Sequence, residues 1–123
     1  MKKPDTARAD AALVAADNDG ALVLAVTGRI DSNNAGRIEA EILKHVGPGL
    51  DRLVIDLAGL DYISSAGLRV LLITAKKMRQ LGGRFALARL RPQITEVMEV
   101  SGFTAIMPCL ASLDEALARV ARP

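Results

Sequence analysis

The chain has 123 residues, 50% of them hydrophobic and 24% charged, with a formal net charge of +2. Such a length and composition imply one globular domain with an aliphatic core, since aromatic residues are only 2% of the chain. One cysteine, Cys109, and one histidine, His45, exclude an intramolecular disulfide framework and a tetrahedral zinc set.

The elements follow in chain order. Residues 1–10 are polar, contain Pro4, and read as a flexible tail ahead of a domain spanning 11–123. Ala12 to Ala16 is a weak strand, closed by the turn cluster Asp17-Asn18-Asp19-Gly20. Ala21 to Thr27 is a near-continuous apolar run, the pattern of a strand covered on both faces. Gly28 to Asp31 breaks it, and Asp31 or Ser32 is placed to cap the next element. Asn34 to Val46 is helical by period, with Ala35, Ile38, Ile42 and Val46 recurring at spacings of three and four.

Arg52 to Leu57 is a buried strand, Ala58 to Ser64 a loop, and Ser65 to Leu81 a long helix stopped by Gly82-Gly83. Arg84 to Leu90 alternates as a strand. Pro92 opens a helix to Val100, and Ala105 to Met107 reads as a short strand ended by Pro108. Ser112 caps a last helix to Ala121. Strands separated by helices imply parallel pairing, with the first hairpin as an antiparallel edge. The expected fold is a single α/β domain with a mixed sheet of four to five strands and about four helices.

No apolar run approaches the roughly 20 residues of a membrane helix. Asp56, Arg69 and Lys76 interrupt the best candidates. Nothing at the N-terminus resembles a secretory leader, so the expected compartment is the cytoplasm. The mixed charges and scarce aromatics argue against direct nucleic-acid binding.

The segment richest in chemistry is Asp56 to Leu72, DLAGLDYISSAGLRVLL. A strand runs into a short loop, and two serines stand at the start of the long helix. Backbone N–H groups there lack helical partners, and the helix dipole is positive, so an anion is stabilised. A phosphate on Ser65 would bring up to about two negative charges to that end. Serine at a helix start is also an ordinary cap, and these residues alone do not separate the two readings. On a helical wheel Leu68, Leu71, Leu72, Ala75 and Met78 share the expected core face. Ala66, Arg69, Val70, Ile73 and Lys77 share the opposite one. An apolar centre with a charged rim has the form of a docking face, with Val70 and Ile73 expected to be exposed.

This segment resembles the signature of STAS domains, and specifically of bacterial anti-sigma factor antagonists. Tyr62-Ile63-Ser64-Ser65-Ala66-Gly67-Leu68 is similar to that family's apolar pair followed by Asp-Ser-Ser/Thr-Gly-Leu. Gly28-Arg29-Ile30-Asp31 resembles its Gly-x-x-Asp, and Arg91-Pro92-Gln93 through Ser101-Gly102-Phe103 resembles its third helix and ending. The similarity runs from about Leu13 to Ala118. It implies a regulator that binds an anti-sigma factor serine kinase, an ATP-binding partner, and releases that kinase's target. It further implies that phosphorylation on Ser65 switches binding off, with a phosphatase to reset it. Asp31, Ser64 and Gly67 would form the phosphoacceptor pocket. Ser64 stands at the family's aspartate and is itself a less favoured acceptor, and Ala66 stands at the second Ser/Thr.

The resemblance implies no enzyme activity, cofactor, metal or membrane partner. A stand-alone STAS subunit of a membrane transporter complex is the alternative it leaves open. A small hydrolase built on Ser65 and Asp31 lacks a base. His45 lies at the far end of the helix that starts near Asp31, and Cys109 reads as a packed thiol.

Overall fold

A computed structural model describes residues 10–121. Strands β1 (Ala11–Asn18) and β2 (Ala21–Ile30) form an antiparallel hairpin around Asp19-Gly20. Helix α1 (Ala35–His45) crosses over to β3 (Arg52–Asp56), which is followed directly by β4 (Leu60–Ile63). Helix α2 (Ser65–Gln80), strand β5 (Arg84–Ala88), helix α3 (Pro92–Val100), a 3-10 turn (Phe103–Ala105), strand β6 (Cys109–Leu110) and helix α4 (Leu113–Val120) complete the chain. The sheet order is β1-β2-β3-β5-β6, parallel except for the first pair, with β4 joined to β2.

The expected single α/β domain with four helices is observed, and the sheet has six strands. The additional strand is β4, which lies in the stretch expected to be loop. The reason is the length of β2. Its first half, Leu22–Ala25, pairs with Leu53–Asp56 of β3, and its second half pairs with β4 through Arg29–Tyr62 and Ile30–Ile63. One strand thus serves two partners, and the register shifts between Gly28 and Arg29. Gly28 sits at φ +94, and a Cβ there would run into the Asp10 carbonyl, so only glycine fits this irregularity. The break expected at Gly28 is therefore a bulge inside a continuing strand.

A second correction concerns the end of the sheet. The residues read as strand at Ala105 to Met107 turn instead, and the strand follows Pro108 as Cys109–Leu110. Apolar character alone does not separate a short strand from a short buried turn. Residues 1–9 of the expected tail lie outside the described residues. Asp10 is tied down: its carboxylate accepts from the Ala11 N–H, the Asn34 amide and Arg37. These bonds, the Asn34 one foremost, hold its carboxyl below the usual aspartate range.

Alternation along the strands sorts the core into two faces. Leu24, Val26, Ile30, Leu53, Ile55 and Leu87 point to the side covered by α1, α2 and α3. Ala21, Val23, Val54, Ala86 and Ala88 point to the other side, where Ala116 and Val120 of α4 pack against them. The small side chains on that face let a single short helix approach closely. Ser112 caps α4 by accepting from the Glu115 N–H at 3.0 Å, as expected from the sequence.

Candidate functional site

The ends of β2 and β4 create the site. Ile30 and Ile63 are register partners, and the Ser64 N–H donates to the Ile30 carbonyl at 2.9 Å. Asp31 and Ser64 therefore leave the sheet side by side, one toward α1 and the other into α2. Gly67 lies on this junction. A Cβ there would stand 2.6 Å from Cγ1 of Ile63 and 2.9 Å from Cγ2 of Ile30. The absence of a side chain lets the first turn of α2 rest directly on the strand ends. The structure thus brings Asp31, Ser64, Ser65 and Gly67 together.

The two serines take different places at the helix start, and the cap is Ser64, not Ser65. Ser64 is the N-cap: its backbone is extended, its Oγ accepts from the Gly67 N–H at 3.3 Å, and its carbonyl accepts from Leu68. Ser65 is the first helical residue and is exposed. The N–H groups of Ser65 and Ala66 are left without helical acceptors, directed out of the positive end of α2. Serine and aspartate are both strong N-caps, so Ser64 can keep the helix start that an aspartate would provide. Replacing Ser64 with alanine should cost about 1 kcal/mol in urea denaturation, whereas Ser64→Asp should be near neutral. Ser65→Ala should stay within about 0.5 kcal/mol of the parent, because an exposed first-turn hydroxyl supports nothing.

Asp31 does not cap α1 directly. Its Oδ1 accepts from the Asn33 N–H at 2.9 Å, forming a tight side-chain turn. The N-cap of α1 is Asn34, whose side chain faces inward rather than capping. Asn34 is buried, and its amide donates to the Arg29 carbonyl and to Asp10 while its Oδ1 accepts from the Asp31 N–H. This amide fixes the Asp31 turn against the end of β2. Its role was invisible in a run that reads only as polar turn residues.

The docking face expected from the sequence needs two corrections, since neither Val70 nor Ile73 is exposed as expected. Ala66, Arg69, Ile73 and Lys77 lie along one outward flank of α2, with Arg69 and Lys77 exposed and Ala66 and Ile73 half-buried. Val70 is not among them: it is 2% exposed and belongs to the main core. The inward stripe is Gly67, Val70, Leu71, Thr74 and Met78, with Leu68 beside it. The wheel was turned too far because the centre of the stripe holds its least hydrophobic members. Gly67 has no side chain to signal burial. Thr74 is fully buried because its hydroxyl donates to the Val70 carbonyl at 2.9 Å and needs no other partner.

Arg29 stacks on the Tyr62 ring, 4.3 Å from its centroid, beside the serines in the β2–β4 register. Farther along the same end of the sheet, Arg89 makes a two-pronged pair with Asp56, at 3.1 and 2.5 Å. Arg89 has φ +58, and the Asp56 carboxylate also accepts from the Ala58 N–H. Arg91 ties the same loop through the Ala58 carbonyl and Asp61. These ion pairs hold the Leu57–Leu60 connection that delivers β4.

His45 is exposed in the last turn of α1, about 15 Å along the helix from its start, and joins no catalytic set with Asp31 or Ser65. Cys109 is half-buried, its thiol donating to the Met107 carbonyl at 3.3 Å. Burial, and then the charge of Glu99, pushes the thiol's pKa up, which keeps it protonated and unreactive. Among the described residues no group of His, Cys, Asp or Glu is arranged to hold a metal ion. No helix there is long and apolar enough to cross a membrane.

The STAS domain family profile matches residues 12–116. The chain belongs to the STAS domain family. BtrV of Bordetella bronchiseptica, a protein named as an anti-sigma factor antagonist, is 47% identical over 100 residues, covering 81% of this chain and 86% of BtrV. The crystal structure of an anti-sigma factor antagonist from Mycobacterium paratuberculosis superposes with a TM-score of 0.84 at 29% identity, covering 98% of each chain. The Bacillus cell fate determinant SpoIIAA in its phosphorylated form superposes at 0.67 with 22% identity, covering 89% of this STAS domain and 100% of that chain. At that identity the likeness to SpoIIAA is one of fold. The relatives are thus regulatory proteins of the anti-sigma factor antagonist class, and the resemblance read from the SSAGL turn is correct at the level of family.

Proposed function

We propose that this STAS domain is an anti-sigma factor antagonist that works by exchange of partners. The observation that carries the reading is the exposed Ser65 at the open, positive end of α2, on the edge of the flank that holds Ala66, Arg69, Ile73 and Lys77. Support comes from the 47% identity to BtrV and the close superposition on the M. paratuberculosis antagonist. The unmodified flank binds an ATP-dependent anti-sigma kinase in the cytoplasm and frees the protein which that kinase had sequestered. The kinase then transfers the γ-phosphoryl group of ATP to the Ser65 oxygen, releasing ADP and the hydroxyl proton. The domain serves as substrate and competitor, not as catalyst.

The consequence of phosphorylation follows from local chemistry. The free N–H groups of Ser65 and Ala66 are available to the phosphate, so it requires no refolding of the helix start. Arg69 stands one turn further along the same side, at the spacing where opposite charges pair. A phosphate therefore adds charge to the docking edge and draws away one of its cations. Burying such a charge against a partner without compensation is costly, and the complex dissociates. A phosphatase restores the binding form.

Incubation with the cognate kinase and ATP, followed by peptide mass spectrometry, tests the assignment. Phosphate should appear on Ser65 and be absent from Ser65→Ala, which should remain bound to the kinase. Phosphate on Ser64 would move the acceptor by one residue. Phosphate on neither would favour a transporter-associated STAS subunit.

A further inference from the structure

The helical layer over the first face of the sheet is not continuous. Between α2 and the 3-10 turn lies an open cavity of about 650 Å³, within the range of small-molecule sites. Its walls are Leu72 and Ala75 from α2 and Ile106 and Pro108 from the connection to β6, and Phe85 of β5 also lines it. Ile106 is 47% exposed and adds open apolar surface to the cavity lining. Two cations, Lys76 and Arg79, line the same cavity one turn apart on α2. Both are exposed, and neither forms a salt bridge with another described residue. The cavity adjoins the proposed docking face without sharing residues with it: Lys76 stands one turn from Ile73, and Ala75 and Arg79 turn away toward the 3-10 segment.

We infer that this cavity binds a small amphiphilic anion, an apolar chain ending in a carboxylate or a phosphate. The apolar chain would lie against Phe85, Leu72 and Ile106 and remove their exposed surface from water. The head group would meet Lys76 and Arg79 at the rim, where paired cations favour an anion over a neutral head. A neutral apolar molecule would use the walls and leave the cations unanswered. A small inorganic anion would use the cations and leave the apolar wall wet. Only a ligand with both parts uses the whole site. Because α2 forms one wall of the cavity and carries the Ser65 flank beside it, occupancy also bears on the same helix that meets the partner.

The test is titration of the full, unphosphorylated chain with dodecanoate and with dodecyl phosphate below their micelle concentrations, followed by amide NMR shifts. Shifts should centre on residues 72–79, 83–85 and 105–108, with decanol and inorganic phosphate as controls. Lys76→Gln with Arg79→Gln should weaken binding of the anionic probes at least tenfold and leave the affinity for decanol unchanged. Ile106→Asp, an exposed position that can tolerate charge, should weaken all chain-bearing probes. If only one of the two anionic probes binds, the head group is identified as carboxylate or phosphate. No change in the double variant would overturn the role of the cations. Absence of shifts in the cavity with both anionic probes would overturn the site.

Discussion

Val70→Asp is expected to unfold the protein. The side chain is 2% exposed and sits in the same apolar cluster as Ile38 and Ile42 of α1 and Leu71 and Met78 of α2. The substitution removes a buried apolar group worth about 1.5–3 kcal/mol. It also places a carboxylate where no described cation is paired to receive it, and an uncompensated buried charge costs about 3–5 kcal/mol. The sum is comparable to the whole stability of a small domain, about 5–15 kcal/mol. Circular dichroism and the dispersion of amide NMR signals should both collapse, or the urea midpoint should fall to near zero. Ile73→Asp is the matched contrast, three residues on and on the outward flank. It should cost about 1 kcal/mol, mainly helix propensity and partial burial, while weakening kinase binding severely. A folded, stable Val70→Asp would show that α2 is rotated relative to its assigned face.

Gly67→Val should be the next most damaging change, and for a steric reason. The first atom of any side chain already falls 2.6 Å from Ile63 and 2.9 Å from Ile30, both buried β-branched residues at the ends of their strands. Neither can swing aside as a long flexible chain would. Alanine gains about 1 kcal/mol of helix propensity over glycine, which offsets part of the clash. The Gly67→Ala loss should therefore be about 1–2 kcal/mol, and valine, with two more carbons to accommodate, should lose about 3 kcal/mol or more. The relief available to the helix is to lift its first turn from the strands. That would break the Ser64–Gly67 cap and displace Ser65, so phosphorylation by the kinase should slow more than the stability loss alone explains. An unchanged or higher urea midpoint for Gly67→Ala would mean that the helix start is not in close contact with the sheet.

The sequence determined the element order almost completely, because period and punctuation are local properties. The Gly82-Gly83 stop, Pro92 opening α3 and Ser112 capping α4 all act through their immediate neighbours and stand where the pattern put them, while the first turn narrows to Asp19-Gly20 because Asp17 and Asn18 pair as the end of β1. The SSAGL turn was legible for the same reason, since a strand end, two hydroxyls and a helix start are contiguous in the chain. What the sequence left undetermined depended on residues far apart. That β2 serves both β3 and β4 is settled only when Ile30 meets Ile63 across the sheet, and a four-residue strand has too little pattern of its own to declare that pairing. The choice of Ser64 as cap was settled by the bond to the Ile30 carbonyl, which fixes where the helix begins. The rotation of α2 was settled by Gly67 fitting between two isoleucines and by Thr74 satisfying its hydroxyl within its own helix, so that Val70 faced inward. Hydrophobicity marks which residues prefer to leave water. Only the tertiary contacts decide which of several nearly equal faces of a helix has a surface to leave it for.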